Sequence, residues 1–514
     1  MGFIQIICIF APNFSQTNNI WIKSMTDKYK KPSLWLSLLP VATLVCLLAI
    51  AIYLFKGDAL GGASQIVLLL ATALCAAIAY FCYGIRWAVI EAQIAKNIYG
   101  IAPSVLILLL IGTLSGSWMI SGVVPSLIYY GLQVMQTDFF LVACCALCSL
   151  VSVMTGSSWT TIATIGIALV GIGEAQGFST GWIAGAIISG AYFGDKMSPL
   201  SDTTVLAASV TDTPLFSHIR YMMLTTVPSM AITLVVFSIA GFSRSAIDSD
   251  QIARFSTDLQ QSFHITPWLM VVPIVTGLMI AKKIPSVVVL FLSSLLAGLF
   301  AVLFQPQLLL DIAGSSEAHL LAYIKGLLMT FYDSTQIETG NEALNSLVST
   351  RGMVGMLNTI WLIICAMCFG GAMSASGMLK NITQLFLRFM RGRTSMVAST
   401  VVSGLSLNLC TADQFIAIIL NSEMFKEVYK QRGFESRLLS RTTEDAVTVT
   451  SVLIPWTTCG MTQSTILGVS TWTYFPYCIF NLVSPLMTIL LAATGYKIRQ
   501  ITVSAENSEE KAVE

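Results

Sequence analysis

The chain has 514 residues, of which 55% are hydrophobic and only 10% are charged, and its formal net charge is +1. A soluble protein carries about 25% charged residues. The composition therefore excludes a soluble enzyme, a nucleic-acid-binding protein and a disulfide scaffold. About 20 apolar residues span a bilayer, and residues 446–496 form a single uncharged run of 51. The sequence predicts an all-α polytopic membrane protein whose main surroundings are lipid.

Residues 1–33 are predicted to be a cytoplasmic N-terminal segment. Lys28, Lys30 and Lys31 precede the first apolar run, and basic residues accumulate on the cytoplasmic side of membrane proteins. Residues 2–12 are mildly apolar but follow no Lys or Arg, which argues against a signal peptide. Met25 is an alternative start to Met1.

The first transmembrane repeat is predicted to cover residues 34–242. It contains simple spans, a helical hairpin with a polar tip at 155–158, and one span that is interrupted in its middle. In chain order these are 34–55, 63–83, 101–121, the hairpin 138–175, the interrupted span 180–210, and 221–242.

A connecting loop, 243–266, leads to a second repeat, 267–496, and then to a cytoplasmic tail, 497–514. This half is predicted to follow the same order, with a long loop at 305–351 and a hairpin tip at 410–413. Its segments are 267–281, 285–304, 353–377, the hairpin 394–425, 445–470 and 472–496.

The two halves resemble each other at a shift of 255 residues. Residues 116–122 align with 371–377, and the hairpin tip 155–157 aligns with 410–412. Each half has five crossings, so the second half must be inverted in the membrane relative to the first. Inverted repeats with broken helices are typical of secondary transporters, which bind their substrates near the bilayer midplane.

The interrupted span of the first half carries the most unusual residues. Asp195, Lys196 and Asp202 lie in an otherwise apolar span, and charged residues at that depth are functional by default. Pro199 removes a helix hydrogen bond. Carboxylates, free carbonyls and the hydroxyls of residues such as Thr203 and Thr204 form an oxygen-donor set suited to a small cation.

The second half supplies further oxygen donors. Asp413 lies alone in the hairpin tip, and Thr457 and Thr458 belong to a polar string in the next span. Asp445 lies near the basic loop, where it could pair with Arg441 or tune the site. No GxxxxGK[ST] motif is present, so ATP drive is not indicated and no cofactor or resident metal is predicted.

Residues 190–204, GAYFGDKMSPLSDTT, resemble the signature of the NhaC family of Na⁺/H⁺ antiporters, and residues 207–221 extend the likeness. The resemblance implies an inverted-repeat fold with opposed hairpins. It also implies exchange of Na⁺ for H⁺ across a bacterial inner membrane. Similar members exchange malate for lactate or carry amino acids, so a Na⁺- or H⁺-coupled exchanger of such solutes is the alternative.

The hypothesis is alternating access in which Na⁺ and H⁺ compete for one set of carboxylates. Asp202 is expected to be the main ligand, with Ser157 and the two threonines that follow Asp202 as neutral donors. Asp195 and Lys196 would tune the site, and Asp413 would face it. A homodimer is left open. A membrane-embedded enzyme lacks support, because no intramembrane His or metal-spaced ligand set appears, and a channel is disfavoured by the repeats.

Overall fold

A computed structural model gives the architecture. It describes residues 32–498 except 56–61, 135–136, 243–248, 283, 316, 338–344, 346–347 and 351. The predicted N-terminal segment up to residue 31, Lys283 and the tail beyond residue 498 lie outside the described residues. Within those ranges the chain is helical, and the only strand-like pairing is an isolated bridge between Thr335 and Thr350.

The helices are numbered here in chain order. They are α1 Leu34–Phe55, α2 Ala63–Tyr83, α3 Trp87–Gly100, α4 Ala102–Ile120, α5 Val123–Val134, α6 Phe140–Thr155, α7 Ser158–Ala175, α8 Thr180–Met197, α9 Asp202–Val210, α10 Leu215–Phe242, α11 Ser249–Ser262, α12 Pro267–Ala281, α13 Ser286–Phe304, α14 Pro306–Ala313, α15 Leu320–Tyr332, α16 Val354–Ala375, α17 Met378–Leu387, α18 Arg393–Thr411, α19 Gln414–Gln431, α20 436–451, α21 Thr458–Leu467, α22 Thr471–Tyr477 and α23 Ile479–Thr494.

The described helices make the protein a multi-pass membrane protein. Seven of them are long and apolar enough to cross a bilayer, or up to nine if each of two bent pairs counts as one span. The predicted spans 34–55 and 63–83 coincide with α1 and α2. The predicted hairpins and the interrupted span correspond to α6 and α7, α18 and α19, and α8 and α9.

Two segments predicted as loops contain helices. Residues 305–351 hold α14 and α15, and the predicted connecting loop 243–266 holds α11. Helix α14 buries Leu309, Leu310 and Ala313 along one side, and Gly326 of α15 lies against the Leu309 carbonyl. These helices have 8 to 14 residues, which is too few to read as membrane spans.

Helices α6 and α8 pack unusually closely. A Cβ atom on Gly190 would overlap the carbonyl oxygen of Cys145, and one on Gly194 would overlap that of Ser149. Small residues let membrane helices approach to backbone contact. The first limb of the first hairpin and the first part of the interrupted span therefore form one tightly joined pair.

Equivalent turns end α4 and α16. Ser121 donates to the Trp118 carbonyl at 3.2 Å, and Ser376 donates to the Met373 carbonyl at 3.0 Å. The next residue is in both cases a glycine with positive φ, 83° and 71°. These two turns are 255 residues apart, which is the shift that the sequence comparison predicts.

Candidate functional site

The two hairpin tips share one hydrogen-bond pattern. The Thr155 hydroxyl donates to the Ser157 carbonyl (3.2 Å) and accepts from its amide (3.1 Å). The Thr411 hydroxyl does the same with Asp413, at 3.0 and 3.3 Å. Equivalent residues at the tips are therefore 256 apart. The predicted alignment of 155–157 with 410–412 is wrong by one residue, because the second half contains one more residue between the preceding turn and the tip.

The residue in the middle of each tip adopts a left-handed conformation. Gly156 has φ 66° and Ala412 has φ 56°. A Cβ atom on Gly156 would lie 2.7 Å from Leu200, which is closer than two atoms can pack. The first tip therefore requires glycine, because the backbone of the interrupted span lies directly against it.

Each interrupted span restarts at a hydroxyl N-cap. Ser201 accepts from the Thr204 amide at 3.4 Å at the start of α9. Thr457 accepts from the Gly460 amide at 3.0 Å at the start of α21. These caps are also 256 residues apart. A side-chain oxygen at this position satisfies an amide that the helix leaves unpaired, so both breaks are stable local structures.

Asp195 joins the first hairpin tip to the first helix break. Its carboxylate accepts from the amide of Ser158 at 3.1 Å and from the hydroxyl of Ser158 at 2.7 Å. Asp195 is only 7% exposed, and it interacts with the Ser201 side chain and with the charge of Asp202. Ser158 was not among the predicted site residues. The predicted Ser157 instead caps α7, where it accepts from the Thr160 amide.

Asp202, the expected main ligand within the interrupted span, is exposed rather than buried. It occupies the first turn of α9, where a negative charge is favourable without burial. The two residues that follow it are buried. The Thr203 hydroxyl lies 3.0 Å from that of Ser201, and the Thr204 hydroxyl donates to the Lys196 carbonyl at 3.3 Å.

Asp413 forms the equivalent junction in the second half. One carboxylate oxygen caps α19 by accepting from two amides at 3.0 Å. The other accepts from the Thr458 hydroxyl at 3.2 Å, and the Thr458 amide donates to the Ala412 carbonyl at 2.8 Å. The Thr457 hydroxyl donates within the break, to the Ile454 carbonyl at 2.9 Å.

The two junctions are connected through the protein interior. Tyr192 interacts electrostatically with both Asp195 and Cys459, and Cys459 interacts in the same way with Asp413. The contacts between helices are also exchanged between the halves: α9 contacts α19, and α21 contacts α7. The structure thus brings the predicted residues of the two hairpins and the two breaks into one central region.

Lys196 forms a buried ion pair with Asp445, and both side chains have no exposed surface. Two hydroxyls complete the arrangement. Ser484 lies 2.9 Å from the Asp445 carboxylate and 3.2 Å from the Lys196 ammonium, and Thr225 donates to the same carboxylate at 3.2 Å. Lys196 thus pairs with an acid of the other half rather than with the adjacent Asp195. Its charge bridges the two halves.

Two further charged residues of α20 are fully buried. Arg441 has no exposed surface and lies 4.0 Å from the second oxygen of Asp445. Glu444 is equally buried, in a turn of π-helix within α20. In the described part of the chain, neither the Arg441 guanidinium nor the Glu444 carboxylate makes a hydrogen bond. Pi-helical turns are often found at functional sites.

The chemistry of this region is that of hard oxygen donors. Carboxylates, hydroxyls and backbone carbonyls surround the two helix breaks, and such donors suit small cations of low polarisability. Among the described residues, no group of three or more His, Cys, Asp or Glu side chains could hold a metal ion. Buried ionisable residues in a chain of membrane-spanning helices mark an ion or proton pathway. Together these features define a membrane transport protein.

Comparison with known proteins identifies the family. The profile of the Na⁺/H⁺ antiporter family matches residues 190–496. The NhaC Na⁺/H⁺ antiporter of Bacillus subtilis strain 168 is 34% identical over 411 residues, which cover 80% of this chain and 88% of that protein. The chain belongs to the Na⁺/H⁺ antiporter family, and the resemblance seen in residues 190–204 is confirmed.

Two relatives whose names give other activities have a comparable identity to this chain. The malate-2H⁺/Na⁺-lactate antiporter of the same Bacillus subtilis strain is 36% identical over 422 residues, 81% of this chain and 87% of that protein. The arginine/ornithine antiporter ArcD of Halobacterium salinarum is 31% identical over 476 residues, 92% of this chain and 94% of that protein.

Proposed function

We propose that this protein exchanges Na⁺ for H⁺ across the bacterial inner membrane by alternating access. One observation carries the proposal: the buried carboxylate of Asp195 lies where a hairpin tip meets a helix break, and it interacts electrostatically with the exposed carboxylate of Asp202. One acid thus faces an accessible surface and the other faces the protein interior. A cation that reaches Asp202 can pass to Asp195, where Ser158 and the break supply further oxygens.

Proton coupling follows from competition for the same oxygens. A carboxylate that holds a proton cannot hold Na⁺ equally well, because both occupy its lone pairs and its charge is then neutralised. Asp413 with Thr458 is the corresponding junction of the second half and the second place where such competition can act. The proposed ion-binding set comprises both junctions: Asp195, Asp202, Thr203, Thr204, Ser157, Ser158, Asp413, Thr457 and Thr458.

The proposed architecture is an inverted repeat, 34–242 and 267–496. Three observations support it: the matching hydrogen bonds at the tips, the matching caps at the breaks, and the exchanged contacts of α9 with α19 and α21 with α7. Exchanged contacts of this kind are those of a two-fold relation. The odd number of predicted crossings places that two-fold axis in the membrane plane. Both termini are then cytoplasmic, and a homodimer remains compatible with the arrangement.

The test is dissipation of a pH gradient in everted vesicles. We expect Asp195→Asn to abolish Na⁺-dependent proton flux, and Asp202→Asn to reduce it severely by weakening entry of the cation. Asp311→Asn is the matched control, because Asp311 is an exposed acid on α14 that is hydrogen-bonded to Gln307. Full activity in both Asp195→Asn and Asp202→Asn would end the assignment.

A second candidate is exchange of a carboxylate-bearing solute, coupled to Na⁺ or H⁺. It is favoured by the buried guanidinium of Arg441, which makes no hydrogen bond among the described residues and could hold a carboxylate with two parallel bonds. The malate/lactate and arginine/ornithine relatives support this class of substrate. Uptake of radiolabelled malate, lactate, arginine and ornithine into proteoliposomes separates the two candidates.

A further inference from the structure

A basic pocket lies on the surface at the beginning of α10. Its volume is about 410 Å³, and its lining brings together α10, α20 and the chain that follows α23. The lining residues used here are Phe216, Ser217, Arg220, Tyr221, Arg437 and Lys497. On the predicted path all of them lie on the cytoplasmic side.

The pocket carries an excess of positive charge. Arg437 forms an ion pair with Glu435. Across the residues that the structure describes, no ion pair involves Arg220 or Lys497. The Arg220 and Lys497 side chains of the pocket are thus available to an anion, and the Ser217 hydroxyl is a further hydrogen-bond donor. Arginine and lysine side chains converging on one pocket are suited to a phosphate group.

The surface next to the pocket is apolar and follows one face of α10. Phe216 is 76% exposed, Met223 45% and Val227 48%. With Arg220 they fall at intervals of four, three and four residues, so they share one side of the helix. A cation followed along one helix face by exposed apolar side chains matches a phospholipid, which has a phosphate headgroup and hydrocarbon tails.

We propose that this pocket binds the phosphate group of an anionic lipid headgroup. Basic pockets between membrane helices on the cytoplasmic side are known to suit such groups. The apolar face beside Arg220 favours a lipid over free phosphate, because free phosphate has no hydrocarbon chain that could contact that face.

The pocket is physically connected to the buried charges. Two guanidinium groups lie over the Tyr221 ring, with Arg437 at 4.7 Å and Arg441 at 4.6 Å from its centre. Its hydroxyl donates to the Lys497 carbonyl at 3.2 Å. Arg441 then reaches Asp445, the partner of Lys196. A headgroup in the pocket therefore joins α10, α20 and the end of α23 next to the charge pair that bridges the halves.

The test measures association of spin-labelled phosphatidylglycerol with the purified full-length protein, relative to spin-labelled phosphatidylcholine. The variant is Arg220→Gln/Lys497→Gln, which leaves Arg437 on Tyr221. Each basic residue near a membrane surface contributes about a fivefold factor in affinity for an anionic lipid. We therefore expect the double variant to lose about 25-fold of its preference for phosphatidylglycerol at this site. Arg391→Gln, an exposed basic residue outside the pocket, is the control and should keep the preference.

A second arm titrates inorganic phosphate into protein in phosphatidylcholine micelles and follows binding by thermophoresis. Binding of phosphate alone, lost in the double variant but without lipid preference, would support the anion site and overturn the lipid as its ligand. If neither the lipid nor phosphate binds, the proposal is overturned. It is also overturned if wild type and the double variant bind equally, provided that the size-exclusion elution profile shows the double variant to be folded. Transport is not the readout, so the result is independent of which ion the protein carries.

Discussion

Neutralising Asp445 should destabilise the protein more than removing its partner Lys196. In Asp445→Asn, the buried Lys196 ammonium loses its anion and keeps only neutral oxygen acceptors, and the guanidinium of Arg441 loses the anion that lies 4.0 Å from it. In Lys196→Met, the carboxylate keeps Arg441 at 4.0 Å and the hydroxyls of Thr225 and Ser484. The two members of the ion pair therefore keep unequal sets of partners when the other member is removed.

The magnitudes follow from what each variant leaves unpaired. Leaving a buried charge without its partner costs about 3–5 kcal/mol, which is the expectation for Asp445→Asn. Losing one charge-assisted hydrogen bond while the others remain costs about 1.5–3 kcal/mol, which is the expectation for Lys196→Met. The double variant Asp445→Asn/Lys196→Met should be more stable than the sum of the two single losses predicts, since neither charge of the pair is then left without its partner.

The assay is unfolding of the purified protein in mixed micelles with increasing denaturing detergent, with the single and double variants measured side by side. Ser217→Ala, at a half-buried position outside the pair, controls for the general effect of substitution. If Lys196→Met were as destabilising as Asp445→Asn, or if the two losses simply added, the reasoning on this charge network would be refuted.

Three further outcomes are expected. Asp413→Ser should keep the cap of α19, because Ser157 caps α7 at the equivalent position of the first tip. The variant should nevertheless lose most Na⁺-dependent proton flux in vesicles. Normal flux would mean that Asp413 is only a cap. Gly156→Ala should destabilise the protein by about 1–3 kcal/mol in the detergent-unfolding assay, because the added methyl meets Leu200 in a left-handed turn; unchanged stability would contradict the close contact. Glu444→Gln should lower proton-coupled flux at least about tenfold in proteoliposomes at unchanged expression, because a buried acid without hydrogen bonds is retained for transport; wild-type flux would contradict this.

The membrane helices could be read from the sequence because their signal is strong. An uncharged apolar run such as 34–55 has hardly any alternative structure in a bilayer, and its bounds were predicted to the residue. Helices α14 and α15 were missed because they have only 8 and 13 residues and lie in a segment that contains charges. The one-residue error in the repeat arose because the shift of 255 found at the turns was extended to the tips, although the second half has one more residue between turn and tip.

The site was predictable in its position but not in its pairing. The unusual polarity of residues 194–204 located the break, and the isolated Asp413 located the second tip. Which acid is buried depends on the neighbouring hairpin: Ser158 is hydrogen-bonded to Asp195, whereas Asp202 is exposed. The pairing of Lys196 with Asp445 joins residues 249 positions apart, and no local pattern could indicate it.

The glycine contacts of α6 with α8 limit how this molecule can change shape. Backbones in direct contact at two successive turns cannot slide past each other without steric overlap, so we expect these helices to travel as a single rigid element. The change between inward and outward access would then require movement at other helix interfaces, such as those of α9 with α19 and of α21 with α7. A cysteine cross-link between α9 and α19, or between α21 and α7, should stop transport. A cysteine cross-link between α6 and α8 should leave transport unchanged.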